Sequence, residues 1–147
     1  MKGDKQLRKD LEEEIVKAFF EKQVQERVLH ELFSPKKRDQ ALNRLCHQYE
    51  KMLRGKYMTE ILPPNSNPKD IYELLKKEGA KNSVYSLSYN EKIDGKELPL
   101  LEALKQAVGF GMPSLISCIP GELAYFEAEQ GFGPPPRFLL RRPKLER

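Results

Sequence analysis

The sequence predicts an α+β protein in which a long N-terminal helical hairpin packs on a small C-terminal mixed β-sheet of about four strands with two short helices. Apolar residues recur every third or fourth position through residues 5–53, which is the helical period, and every second position from residue 83, which is the strand period. Between these regions, residues 62–68 contain three prolines and two asparagines, a composition that supports neither helix nor strand. We therefore expect a helical hairpin in residues 1–62 and a small α+β domain in residues 63–147, with one integrated domain as the alternative.

The first helix is expected over residues 5–33, because its apolar residues follow one side in steps of four. Adjacent apolar pairs make this band wider than one neighbouring helix covers. The predicted interface residues are Phe19, Phe20, Val24, Leu32 and Phe33. A second copy of the chain, forming a homodimer, would cover the surplus. In the alternative, the C-terminal half covers it within one molecule.

The second helix is expected to follow at once and to form the other arm of the hairpin. Ser34 is the predicted cap, and Pro35 suits the first helical position. Gly55 is the predicted end, since glycine commonly terminates helices. The apolar stripe of the second helix matches that of the first helix, so the two helices should pack together.

The C-terminal half is expected to alternate short helices and strands. Asn67 and Pro68 predict the cap and first residue of one helix, and Pro99 predicts the start of another. Strands are expected over residues 83–89, 114–119, 123–127 and 137–142. The middle two should be antiparallel because only three residues separate them. If the helix that begins at Pro99 connects the first two strands in parallel, the sheet is mixed.

Cysteine usage and hydropathy indicate the cellular compartment. Cys46 and Cys118 lie one in each half, so the sequence does not suggest a disulfide framework. Charge continues through the N-terminus, where an export signal needs an apolar segment, and no run approaches the roughly twenty apolar residues of a membrane span. We expect a cytoplasmic protein without a membrane partner.

Charge is unevenly distributed along the chain, although the net charge is only +4. Residues 1–57 contain 14 Lys or Arg against 10 Asp or Glu, residues 58–136 contain 7 against 11, and residues 137–147 contain 5 against 1. Basic ends favour an anionic partner, although solvated surfaces are often charged in the same way. The predicted basic patch consists of Lys36, Lys37, Arg38, Arg44, Arg54, Arg137, Arg141 and Arg142.

Candidate catalytic residues are few. Cys118 ends a predicted strand, where a thiol nucleophile could be exposed, but no base lies near it in sequence and inert packing is the alternative. Glu122, Glu127 and Glu129 offer carboxylates for acid and base roles. Because the last two share a face of a predicted strand, a solvated strand surface explains them better.

Candidate metal ligands are His30, Cys46 and His47. Cys46 and His47 are adjacent on a predicted helix, so their side chains point about 100° apart and one ion would need further ligands. We therefore predict no metal and no cofactor, with Cys46 in the core and both histidines at the surface or an interface.

No catalytic constellation emerges from these residues, whereas basic and apolar surfaces do. The sequence therefore favours a non-enzymatic binding or adaptor module with a protein partner. A nucleic-acid-binding protein is the second hypothesis. A small hydrolase or transferase using Cys118 or the nearby carboxylates is the third.

Overall fold

The computed structural model describes residues 3–143, which form helices on both sides of one β-sheet. The helices are α1 (Asp4–Phe19), α2 (Lys22–Leu32), α3 (Arg38–Met52), α4 (Pro68–Lys77) and α5 (Leu100–Ala107), with a short 3₁₀ turn at Gly55–Tyr57. The strands are β1 (Met58–Glu60), β2 (Ser83–Ser88), β3 (Lys96–Pro99), β4 (Ser114–Ile119), β5 (Leu123–Glu127) and β6 (Arg137–Arg141). Their order across the sheet is β1-β6-β5-β4-β2-β3, and every neighbouring pair is antiparallel. The predicted α+β class is confirmed.

The predicted sheet of about four mixed strands is wrong, because the described chain forms six strands and all of them are antiparallel. The two missed strands, β1 and β3, are edge strands of three and four residues, too short to show a period of two. The missed β3 also explains why β4 was wrongly expected to run parallel to β2. It returns the chain to the starting end of β2 before α5 crosses back, so β4 must run opposite to β2 and not parallel to it.

The predicted continuous helix over residues 5–33 is also wrong, because the chain leaves the helix at Phe20. This residue is extended and forms an isolated antiparallel bridge with Leu53. The amide of Glu21 donates to the carbonyl of Met52 at 2.7 Å, and the amide of Arg54 donates to the carbonyl of Phe19 at 2.8 Å. On one helix, adjacent phenylalanines would point about 100° apart. The break allows Phe19 and Phe20 both to be fully buried.

The start of α3 differs from the prediction as well. Ser34 and Pro35 lie in a turn before the helix, which begins at Arg38, and no side chain caps it. The amides of Lys37 and Arg38 donate to the carbonyl of Ser34, at 3.0 and 2.9 Å, so the turn closes on itself. The predicted start at α4 is confirmed, since the side chain of Asn67 accepts from the amide of Asp70 at 2.9 Å.

Two apolar clusters fill the space on either side of the sheet. On one side, α1, α2 and α3 pack against Tyr85, Leu87, Leu115 and Phe126. On the other, α4 and α5 pack against a second set that includes Tyr125. The broad apolar band of the first two helices is therefore covered by the sheet of the same chain, as in the intramolecular alternative. β1, which belongs to residues 1–62, pairs with β6, while the division at residue 62 stays a prediction.

The helices are short or strongly charged. None of those within residues 3–143 has the length and apolar character that a membrane span requires. This agrees with the expected absence of a membrane-spanning segment in this part of the chain.

Phe20 should contribute strongly to stability because its ring is fully buried at the junction of α1, α2 and α3. We expect Phe20→Ala to lower the free energy of unfolding by about 3–5 kcal/mol. The matched control is Phe132→Ala, because Phe132 is completely exposed and its truncation should change stability by no more than about 0.5 kcal/mol. Urea denaturation measures both, and similar losses in the two variants would contradict this account of the break.

Candidate functional site

A pocket of about 340 Å³ lies between the first turns of α1 and the connection from α2 to α3. Its lining residues are Lys5, Arg8, Lys9, Glu12, Leu32, Phe33, Pro35 and Arg38. Four of these side chains are cationic and only one is anionic, while the rest form an apolar wall. We call this site the cationic pocket.

The carboxylate of Glu12 is neutralised inside the protein. Its two oxygens accept from Nη1 and Nη2 of Arg38 at 2.9 and 2.7 Å, and it also accepts from the hydroxyl of Tyr85. Arg38 continues to Asp94, donating from Nε to Oδ2 at 2.8 Å. Such paired, charge-assisted bonds fix geometry as well as charge. Because the side chain of Glu12 is only 3% exposed, its charge is directed at Arg38 and not at the pocket opening.

The pKa values of this network follow from burial and charge. Burial alone would lower the pKa of Arg38, but hydrogen bonds and attraction from Glu12 and Asp94 outweigh it and raise that pKa. Burial, and then the charge of Glu12, raise the pKa of the Tyr85 hydroxyl. At neutral pH the network therefore contains a charged Arg38 and a neutral Tyr85, whose hydroxyl donates a hydrogen bond to Glu12.

The other cations of the pocket are held near its rim. Nζ of Lys9 lies 5.6 Å from the centre of the Phe33 ring, within the range of a cation–π contact. Arg8 lies over Gly95, where a Cβ atom would clash with its Nη2. Lys5 is exposed. The half-buried Phe33 thus forms an apolar surface edged by positive charge.

Only part of the predicted basic patch reaches this pocket. Arg38 lines it, and Lys36 and Lys37 follow Pro35 in the adjoining turn with exposed side chains. The other cations of the pocket are basic residues of α1 that were not predicted as part of the patch. Lys5, Arg8 and Lys9 have the i, i+3, i+4 spacing that places side chains on one face of a helix, so the pattern was present in the sequence.

The remaining predicted arginines make contacts within the fold. Arg44 pairs with Glu31 at 2.7 Å, and the Nε of Arg54 donates to the carbonyl of Phe20 at 2.9 Å. Arg141 pairs with Glu78 at 2.9 Å. Arg142 pairs β6 with the β4–β5 turn through its backbone amide, which donates to the carbonyl of Glu122 at 2.8 Å. Lys144 and Arg147, which extend this basic tail in the sequence, lie outside the described residues.

Arg137 and Glu127 form a buried ion pair, which overturns the interpretation of Glu127 as a solvated strand residue. Glu127 is 0% exposed and accepts from Nε of Arg137 and from the hydroxyl of Tyr125, at 2.8 and 2.7 Å. Glu129 does not share its face, because β5 ends at Glu127 and Glu129 turns toward α3, where it contacts Cys46.

The predicted interface residues are placed in different environments. Phe19, Phe20 and Leu32 are buried in the core, while Val24 and Phe33 are half-buried against it. Of these, the structure brings Leu32 and Phe33 into the cationic pocket. Whether any of them contacts a partner stays a prediction.

Cys118 is enclosed in the core between the sheet and α4 and α5, with none of its surface exposed. Burial raises the pKa of its thiol to about 12. Its sulfur donates weakly to the carbonyl of Ile116 at 3.6 Å. A protonated and inaccessible thiol cannot attack a substrate, so these contacts give no support to a Cys118 nucleophile.

Removing Arg38 should destabilise the fold because it leaves Glu12 buried without its partner. We expect Arg38→Ala to lower the free energy of unfolding by about 3–5 kcal/mol. Lys17→Ala is the control, since Lys17 and its partner Glu13 are 60% and 46% exposed, a surface pair worth at most about 1 kcal/mol. Chemical denaturation measures the free energy of unfolding of both variants. Equal losses would show that the network of Glu12, Arg38 and Asp94 does not stabilise the fold.

Cys118 should resist thiol reagents in the folded protein. In a Cys46→Ala background, we expect the remaining thiol to react only after denaturant is added. Because its pKa rises from 9.0 to about 12 on folding, its contribution to stability is complete below pH 9 and is lost as the pH rises toward 12. The stability difference between this variant and one that also carries Cys118→Ala should shrink over that range. Rapid modification of the folded protein at pH 8 would show that the thiol is accessible.

The geometry of these sites can be compared with known proteins. No protein-family model, no curated protein and no solved structure matches this chain. Among its own surfaces, the cationic pocket joins four cationic side chains to an apolar wall.

Proposed function

We propose that the protein is a binding module that holds an acidic segment of a protein partner in the cationic pocket. The observation that carries this proposal is the pocket lining, in which lysines and arginines surround an apolar wall and the only carboxylate is neutralised. An acidic peptide bearing one aromatic or aliphatic side chain complements both features. Its carboxylates would face Lys5 and Lys9, and its apolar side chain would rest on Phe33.

The charges available to such a partner are the lysines. Lys5, Lys9, Lys36 and Lys37 form no ion pair with any residue in the described part of the chain. Mobile ammonium groups at a rim steer an anionic partner and raise the rate of association. The apolar wall, which contains Leu32, Phe33 and Pro35, would supply the buried contact that commonly gives an interface most of its affinity.

A protein partner fits this site better than a nucleic acid. A phosphate backbone requires several cations along an extended track. The arginines that could extend such a track, Arg44, Arg137 and Arg141, already pair with carboxylates of the fold. The unpaired Lys5 and Lys9 instead lie at a concave pocket with an aromatic wall, which suits a single anchored peptide segment.

Charge reversal at the rim should abolish the binding of an acidic peptide. The probe is a fluorescent peptide of Asp and Glu residues around a central Phe, and fluorescence anisotropy measures its affinity. We expect the double variant Lys5→Glu, Lys9→Glu to weaken binding by more than about tenfold, because repulsion replaces two attractive contacts. The matched control is Lys77→Glu, Lys81→Glu, two exposed lysines outside the pocket, which should bind as the unchanged protein does.

Further probes separate the alternatives. A peptide with Ala in place of the central Phe should bind more weakly than the parent peptide, since it cannot pack on Phe33. A fluorescent single-stranded oligonucleotide should bind weakly. Tight oligonucleotide binding with a steep loss in salt would instead favour the nucleic-acid hypothesis. Peptide binding that is unchanged by reversal of Lys5 and Lys9 would overturn the proposal.

A further inference from the structure

Away from the cationic pocket, three residues with metal-binding side chains converge at one place. Cys46 and His47 lie on α3, and Glu129 lies just beyond the end of β5. Sγ of Cys46 is 2.7 Å from Oε2 of Glu129, and Nδ1 of His47 is 3.8 Å from the same oxygen. All three donor atoms lie within 4.8 Å of one another. Within residues 3–143 this is the only group of three or more His, Cys, Asp or Glu with such spacing.

Local backbone structure brings these residues together. The helical geometry of α3 is interrupted at Gln48, immediately after His47, where φ is −137° and ψ is 26°. Cys46 and His47 therefore end a helical segment, and a helix C-terminus favours a nearby cation. Glu129 is held from the other side, since the amides of Ala128 and Gln130 donate to the carbonyls of Pro136 and Gly111, at 2.9 and 3.0 Å.

The three donor atoms match the ligand preferences of a divalent cation of borderline softness, such as zinc. A thiolate, an imidazole nitrogen and a carboxylate oxygen are the three ligand types that zinc uses in proteins. In a tetrahedral zinc site, the known bond lengths place neighbouring ligand atoms about 3.3–3.7 Å apart. The separations from Oε2 of Glu129, 2.7 Å to Sγ of Cys46 and 3.8 Å to Nδ1 of His47, lie below and slightly above that range. To enclose an ion, Sγ and Oε2 would therefore have to move apart by rotation of their side chains.

Exposure leaves room for a fourth ligand. Cys46 is 7% exposed, whereas the side chains of His47 and Glu129 are 61% and 40% exposed, so the cluster is closed on the protein side and open to water. Three protein ligands with an open position are typical of zinc sites that keep a bound water.

From this geometry we infer that Cys46, His47 and Glu129 form a binding site for a zinc-like divalent cation, with water in the fourth position. On binding, the thiol of Cys46 loses its proton to solvent and the sulfur bonds to the metal. The hydrogen bond from Cys46 to Glu129 is then replaced by two metal–ligand bonds. No oxidation or reduction is involved.

The site would connect distant parts of the chain. Cys46 and Glu129 are 83 residues apart in sequence. The metal would tie α3 to the loop over residues 128–136, which carries the fully exposed Phe132. Ion binding should therefore restrict this loop.

Cobalt is a suitable probe because a thiolate ligand gives Co²⁺ an intense charge-transfer absorption. We expect the reduced full-length protein to bind one Co²⁺ per chain with this absorption, and Zn²⁺ to displace it. Cys46→Ala should abolish the absorption. His47→Ala and Glu129→Gln should weaken Co²⁺ affinity by more than about tenfold, since even the loss of a residue that only supports a ligand costs that much.

The chain supplies a matched control for each of the first two ligands. His30→Ala removes the other histidine, which is exposed on α2, and Cys118→Ala removes the other cysteine. Both controls should retain the absorption and the affinity. Circular dichroism checks that every variant is folded. If Cys46→Ala is unfolded, the His47→Ala variant tests the site instead, because His47 is exposed and its loss should not disturb the fold. Absence of the absorption from the unchanged protein would overturn the site, as would equal losses in the His47 and His30 variants.

Discussion

The constraint on which the structure depends is a central sheet that must be covered on both faces. Along β5, Leu123, Tyr125 and Glu127 face α4 and α5, while Ala124 and Phe126 face the N-terminal helices, and all five are buried. Apolar surface contributes roughly 25 cal/mol per Å² when it is removed from water, so neither face can be left open at small cost. Both helical layers are therefore committed to the sheet. The wide apolar band of α1 and α2 is wide because it covers a sheet and not only α3.

The same double coverage determines where charge can be used. A carboxylate in a covered face needs a partner, because an unpaired buried charge is costly. Glu127 has Arg137, and Glu12 has Arg38. Arginine suits this role because its planar group bonds a carboxylate through two nitrogens at once. Arg38 and Arg137 are thus committed to partners inside the fold, whereas lysines carry most of the exposed positive charge.

Sequence patterns predicted the elements whose signals are local. The cap at Asn67 and the strands β4 and β5 needed only neighbouring residues, and they were predicted correctly. The break at Phe20 depends on a bridge to Leu53, 33 residues away, so no local pattern revealed it. Likewise, Cys46 and His47 alone argued against a metal site, because two adjacent residues of a helix point in different directions. The third donor of the proposed site, Glu129, lies beyond a distant strand, and no local pattern shows that it is close to them. Arg38 was identified from the sequence, but its position beside α1 in the cationic pocket depends on tertiary structure.

The start of α3 is the clearest case of charge placed against local stability. Cations at a helix N-terminus oppose the helix dipole, at a cost of about 0.3–1 kcal/mol each. For Arg38 the structure supplies compensation, since Glu12 and Asp94 both bond to its guanidinium. Lys36 and Lys37 pair with no carboxylate of residues 3–143 and remain exposed. No carboxylate of the described fold compensates these two charges, so the proposed acidic partner, held in the adjoining pocket with Lys5 and Lys9 at its rim, would supply the compensation.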